Sequence, residues 1–332
     1  MTHLLLLGAG FSRNWGGWLA SEAFEYLLGC PEILKSAQLR DLLWKHQESG
    51  AGFEGALEEL QRAYLRDPGG NQKELMALQF AIKQMFTDMD RAFLDLVDWE
   101  FSADRDRKVQ AFLTRFDAIF TLNQDIFLEK HYCNDNVMLL GTRKWSGAYL
   151  PGLKRTRSPE PLYHNCWARS TWVPETGPFT LHAGAQPIFK LHGSSNWASA
   201  EGAPLLIMGG GKAQEIGRNP ILRWYSEQFD EHLHRPNARL MVIGYGFRDS
   251  HINTSLRLAV ETGLRMFIIA PEGAELAHKL NLTRQRGQIV SPTKEETMLR
   301  QALIGASRRS LAEIFGRDNA EFAKVMRFFQ PT

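Results

Sequence analysis

A chain of 332 residues with 44% hydrophobic and 23% charged side chains carries enough apolar material for one large core, which excludes disorder, collagen and coiled coil. Thirty-nine basic against 37 acidic residues leave a formal charge of +2, too balanced for a chain that wraps nucleic acid, so no direct nucleic-acid contact is expected. The three cysteines, Cys30, Cys133 and Cys166, include no pair at the two-residue spacing of a zinc ribbon or redox motif; a reducing compartment and no structural zinc are expected.

The apolar start at 4–7 runs into Gly8, Ala9 and Gly10 without the basic flank or the length of an export signal, and reads as a buried strand. No window approaches the roughly 18 apolar residues of a spanning helix, so a cytoplasmic protein without membrane contact is expected. Residues of about 20–115 show helical periodicity with few turn signals, far more chain than one crossover helix uses, and read as an inserted helical subdomain. Its clearest piece is 73–97, where Leu75, Leu78, Ile82, Met85, Met89, Phe93 and Leu96 make a stripe for the core or for a partner. Asp67-Pro68-Gly69-Gly70 reads as the turn ahead of it.

Apolar runs at 3–7, 118–122, 188–191, 240–243 and 266–270 read as buried parallel strands. With helices between them and polar loops after them, they predict an α/β fold: a Rossmann-like doubly wound parallel sheet whose ligand crevice lies at the carboxyl edge. Residues 1–292 are expected to form that domain, interrupted by the helical insertion and by a looped insertion of about 141–186. The looped part contains Pro151, Pro159, Pro161, Pro174 and Pro178 and is a candidate lid over the sheet edge. Residues 293–332 are expected to be a C-terminal helical segment, with Leu303, Leu311, Phe315, Phe322, Val325 and Phe328 buried.

The polar residues at the strand ends are the candidates for chemistry. Gly8-Ala9-Gly10-Phe11-Ser12 offers a sharp turn, close backbone approach to a phosphate and the start of a helix. It is half a dinucleotide fingerprint. Arg13 replaces the third glycine and no acidic residue closes a second strand, so an ordinary dehydrogenase is disfavoured, and a plain strand-to-helix turn explains the same residues. In Thr121-Leu122-Asn123-Gln124-Asp125, alternation puts Thr121, Asn123 and Asp125 on one side, where an amide holds a hydroxyl or water and a carboxylate accepts from N–H. Capping of the following turn is the equal alternative for Asp125. In Lys190-Leu191-His192-Gly193-Ser194-Ser195, His192 is the histidine placed to act as a base, against the blander role of a hydrogen-bonded structural residue. His232 and His234 lie in a polar helical stretch and are expected to face solvent. Gly244-Tyr245-Gly246-Phe247-Arg248-Asp249 joins a strand to a helix with Asp249 as N-cap, as a cofactor cradle or a simple turn. Gly209-Gly210-Gly211-Lys212 is followed by Ala213 and is not a P-loop.

The motifs at 8–12, 121–125, 191–193 and 243–253, in that order, together resemble the sirtuin-like family. They are most similar to its bacterial antiphage-defence branch, whose members hydrolyse NAD to nicotinamide and ADP-ribose. The resemblance covers residues near 4–18, 117–131, 187–197 and 238–271. It implies that NAD is the substrate, with no metal, and that Gly8, Ala9, Gly10, Phe11, Ser12, Thr121 and Gly193 bind it. It implies that Asn123 orients the nicotinamide ribose or the attacking water, that Asp125 contacts the carboxamide, that His192 is the general base, and that Gly244 and Tyr245 lie against the adenosine half. It further implies an abortive-infection effector that forms a homo-oligomer or answers to a regulatory partner, an ATPase or translocase or an Argonaute-type sensor. Deacylating relatives carry a zinc ribbon of paired cysteines and a Gly-Ile-Pro-Asp-Phe-Arg stretch. Here the cysteines are scattered and Gly17-Trp18-Leu19-Ala20 stands in the latter half of that stretch, which disfavours peptide deacylation. A non-catalytic NAD or ADP-ribose sensor and an NAD-dependent deacylase or ADP-ribosyltransferase are the alternatives.

Overall fold

The computed structural model describes residues 1–133, 144–156, 170–280 and 291–331. Its strands in chain order are β1 (Thr2–Leu7), β2 (Ala118–Thr121), β3 (Ala148–Tyr149), β4 (Leu153–Arg155), β5 (Trp172–Pro174), β6 (Gln186–Lys190), β7 (Gly193–Ala198), β8 (Pro204–Leu206), β9 (Ala238–Ile243), β10 (Arg265–Ile269) and β11 (Leu303–Ser307). Seven of them form one sheet in the order β11-β10-β9-β1-β2-β6-β3, every pair parallel. Helices cover both faces, so the central strands are buried on both sides and read as unbroken apolar runs; Leu4, Leu5, Leu6 and Leu7 are fully buried. The expected Rossmann-like doubly wound architecture is the one observed.

From β1 the chain moves outward through β2 to the edge strand β3, comes back to insert β6 between β2 and β3, then lays β9 on the other side of β1 and continues outward through β10 and β11. The direction reverses between β1 and β9, which is where ligand crevices form in such sheets. Because β9, β1, β2 and β6 are consecutive and parallel, the loops after them leave from one edge side by side. Those loops carry the four motifs.

Between β1 and β2 the helical insertion includes Ala20–Leu28, Ala37–Glu48, Gly52–Arg66 and the 28-residue helix Pro68–Asp95. The stripe from Leu75 to Phe93 is buried as expected, with Leu96 partly buried at its end. Asp67 to Gly70 is not a separate turn. Asp67 is the N-cap, accepting from the Gly70 N–H at 3.2 Å, and Pro68 opens the helix, so cap and proline offset the poor propensity of the two glycines.

The insertion at 141–186 is not purely looped among its described residues. It contributes β3 to the sheet edge, and β4 and β5 to a four-stranded sheet in the order β4-β5-β7-β8. Pro159, Pro161 and Cys166 lie outside the described residues. The terminal segment, expected to be helical throughout, carries β11 between the helices Lys294–Ala302 and Leu311–Gly316. Gly305 sits against the Phe267 ring of β10, which breaks the helical reading of that stretch and suits an edge strand. Leu311, Phe315, Val325 and Phe328 are buried as expected. His232 corrects the sequence reading: it is 2% exposed, bonded through Nδ1 to the Gln228 carbonyl at 2.7 Å, and packed on the Phe120 and Phe189 rings. His234 is exposed as expected. No described helix is long and apolar enough to cross a membrane.

Candidate functional site

Gly8, Gly10 and Gly244 clasp one another at the reversal point. The Gly8 N–H donates to the Ile243 carbonyl at 2.9 Å and the Gly10 N–H to the Gly244 carbonyl at 3.0 Å. A Cβ on Gly8 would lie 2.5 Å from the Gly244 oxygen, and one on Gly10 2.6 Å from the Gly244 Cα. The smallness of these glycines is therefore used by the protein for its own backbone contacts. A phosphate arriving here would meet other donors than these two N–H groups. Ala9 opens the four-residue helical turn Ala9–Ser12, and Phe11 is buried against the Trp15 and Phe127 rings, where it packs the turn from below.

Ser12 joins the first loop to the second. Its Oγ donates to Asp125 Oδ2 at 2.9 Å and accepts from Asn123 Nδ2 at 3.0 Å. Thr121 Oγ1 accepts from the Asn123 N–H at 3.1 Å in a tight turn after the strand has ended, and Asn123 and Asp125 are joined through the Ser12 hydroxyl rather than by strand alternation. Asp125 Oδ1 accepts from the Phe127 N–H at 3.0 Å, the capping alternative, while its other oxygen serves Ser12. Burial raises the Asp125 carboxyl above its ordinary value, opposed by Lys190 and by these hydrogen bonds. Among the described residues Asn123 makes no side-chain bond through its Oδ1, which leaves that oxygen to present to a ligand.

His192 follows β6 and is 3% exposed. Gly193 beside it has φ +75°, and any Cβ there would strike the Leu205 carbonyl, so this turn requires glycine. The His192 Nε2 lies 3.0 Å from the Nε2 of His251 in the first turn of the helix Ser250–Glu261, one ring donating and the other accepting. β6 and β9 are three strand spacings apart, about 14 Å, so the segments that follow them must span that gap to bring the two rings together. Burial pulls the His192 imidazole down to about 3, with Asp249 opposing and Lys212 and His251 adding. Both rings are neutral near pH 7, since burial also lowers His251.

Asp249 stands at the expected N-cap but makes no capping bond; its Oδ1 accepts from Lys212 Nζ at 2.8 Å. Lys212 also pairs with Glu54 of the helical insertion at 2.6 Å. Burial alone would raise the Asp249 carboxyl, yet His192, Lys212 and His251 hold it below its ordinary value. Tyr245 is buried with its hydroxyl donating to Asn253 Oδ1 at 2.9 Å, while Asn253 Nδ2 donates to the Phe247 carbonyl at 2.8 Å. These bonds fix the loop after β9, in which Phe247 takes a left-handed φ of +54°.

Sequence reasoning assigned no role to His251, Lys212, Glu54 or Asp90. The Asp249-x-His251 spacing at a helix start was a readable signal for His251. The others lie far away in sequence and have none. Asp90, on the helix Pro68–Asp95, accepts from the Ile126 N–H at 3.1 Å and from Ser195 Oγ at 2.6 Å, tying the insertion to two site loops. Burial and the nearby Asp125 push its carboxyl up from 3.8 to about 7, against the hydrogen bonds and Lys190. The folded carboxyl thus keeps its proton over a range where the unfolded one has lost it. Asp90 contributes stability below that range that is lost as pH rises through about 4 to about 7. Asp90→Asn should therefore gain on the parent protein in urea midpoint as pH is raised from about 5 to about 8; a pH-independent difference would count against it.

No family model and no curated protein matches the chain. Among solved structures, a chain from work on the mechanism and regulation of Sir2 enzymes is similar at 13% identity and TM-score 0.33, over 91% of this chain and 91% of that one. A mutant Sir2 homologue in complex with ADP-ribose is similar at 13% identity and TM-score 0.34, over 98% of this chain and 93% of that one.

Proposed function

We propose that this protein hydrolyses NAD to nicotinamide and ADP-ribose at the carboxyl ends of β9, β1, β2 and β6. The observation that carries the reading is that two hydrogen-bonded groups stand at the carboxyl ends of these neighbouring strands. Ser12, Asn123 and Asp125 come from the ends of β1 and β2, and His192 and His251 from those of β6 and β9.

Breaking the N-glycosidic bond puts oxocarbenium character on the ribose; the bonding pair leaves on the nicotinamide nitrogen, and water supplies the hydroxyl to the anomeric carbon. Asn123, fixed through Nδ2 on Ser12, offers its amide oxygen to a ribose hydroxyl or to that water. Asp125 has both oxygens engaged, so it holds Ser12 and Asn123 in place and meets the carboxamide at most through a shared bond. Neutral His192 takes the proton of the water, with His251 beside it to share the charge. Gly8, Ala9, Gly10, Gly193, Gly244 and Tyr245 shape the backbone walls against which the dinucleotide lies. In this reading residues 1–292, together with β11 of the terminal segment that completes the sheet, are the catalytic unit. The helical insertion and the exposed faces of the helices in 293–332 serve a homo-oligomer or a regulatory partner of a cytoplasmic abortive-infection effector.

Purified protein incubated with NAD over a range of protein concentrations tests the proposal. Nicotinamide release should fall by about 10²–10⁴-fold in His192→Ala and by about 10²-fold in Asn123→Ala. One observation favours a second reading, a sensor that binds NAD or ADP-ribose without turnover: an imidazole held near 3 is a weak base in the free protein. Tight binding with no product in any assembly state would establish that reading instead, and modified acceptor proteins would point to group transfer.

A further inference from the structure

We infer that His192, His251 and Asp249 form a binding site for a divalent first-row transition-metal ion, with zinc as the natural occupant. One ligand atom from each of the three side chains lies within 4.8 Å of the other two, and the two imidazole nitrogens are 3.0 Å apart. Two nitrogens bound at about 2.1 Å are separated by about 3.0 Å at a right angle and by about 3.4 Å at a tetrahedral angle. The rings therefore already stand at ligand spacing. A hydrogen bond between neutral rings accounts for that separation and Lys212 accounts for the carboxylate; the three together still make a donor set of the kind that holds such an ion.

The surroundings suit a cation. Lys212 holds one oxygen of Asp249 at 2.8 Å, which fixes the carboxylate and leaves its other oxygen to ligate. Lys212 is itself held by Glu54 at 2.6 Å, so two carboxylates face one ammonium and the cluster is net negative. The His192 main chain is anchored as well, its carbonyl accepting from Gln124 Nε2 at 3.2 Å. Two imidazoles and one carboxylate select zinc, cobalt, nickel or copper over magnesium and calcium, which prefer all-oxygen sets. Three protein ligands leave at least one position for water or another small ligand.

The site stands independently of the proposed hydrolysis but bears on it. A metal on His192 Nε2 occupies the lone pair that the base would use, so occupancy and turnover exclude each other.

The probe is cobalt(II), added to the full chain after treatment with a chelator and read by visible absorption in the absence of NAD. Binding of one equivalent with ligand-field bands is expected, displaced by zinc. Affinity should fall by at least about tenfold in His251→Ala and in Asp249→Asn, with circular dichroism to verify folding; should His251→Ala fail to fold, Asp249→Asn decides alone. No cobalt uptake by the parent chain, or unchanged bands in the folded variants, overturns the site whether or not NAD is hydrolysed. NAD turnover by the parent chain without any cobalt bands would count against the metal site and leave the hydrolase reading standing.

Discussion

Replacing Lys190 by methionine is expected to lower the free energy of unfolding by about 3–5 kcal/mol. Lys190 is 1% exposed and its ammonium donates to Glu129 Oε1 and to the Asp125 carbonyl, each at 2.5 Å. Glu129 is equally buried, with a further bond from Ser194 at 3.3 Å, and its Oε2 has no partner among the described residues. Removing the cation strands two neighbouring carboxyl groups, Glu129 and Asp125, in a dry interior. Burial already raises both above their ordinary values while Lys190 holds them down, so without it they would rise further and take protons. The deficit should accordingly be largest in alkaline buffer and shrink as pH falls and the carboxyls are neutralised. Urea denaturation at two pH values measures this. The paired change Lys190→Met with Glu129→Leu should recover most of the loss, because a buried ion pair removed whole costs little. A single variant as stable as the parent would show that water reaches the pair.

Gly244→Ala should destabilise by about 3 kcal/mol or more, of which about 1–2 kcal/mol comes from forcing a side-chain-bearing residue into a left-handed conformation. Its φ is +67°, and the added methyl would run into the Gly10 backbone. The two loops can relieve that clash only by parting, which breaks the Gly10 to Gly244 bond and shifts Ser12 away from Asn123 and Asp125. Gly246 is the internal control. A Cβ there meets nothing within 4 Å, so Gly246→Ala should stay within about 0.5 kcal/mol of the parent. Thermal or urea unfolding of the two variants checks the contrast; equal effects would show that the clasp is looser than its geometry implies.

The central strands were legible because each is a short apolar run closed by a polar or small residue, the pattern that burial on both faces demands. Their carboxyl-end motifs were legible for the same reason, since the residue that ends such a run has to leave the sheet. The edges were not. β3 is a two-residue strand and β11 holds Gly305 amid partly exposed neighbours, so neither carries a hydrophobic signature. The glycines were readable as places of close approach, but composition could not say whether a ligand or Gly244 would approach Gly8 and Gly10. His232 misled because its polar neighbours in sequence lie on the outer face of its helix while its own ring turns inward onto Phe120. Lys212 and Glu54 meet only through tertiary folding, 158 positions apart, and no local pattern announces such a pair.

The helix that carries Asp90 has a mechanical property beyond its hydrogen bonds. At 28 residues it is about 42 Å long; Asp90 grips the loops after β2 and β6 near one end, and Met76 and Phe80 protrude 59% and 55% exposed nearer the other. Because Leu78, Ala81, Ile82 and Met85 between those two ends are buried, the rod is clamped along its length, and the loops held by Asp90 inherit the stiffness of that packed body rather than of their own short backbones.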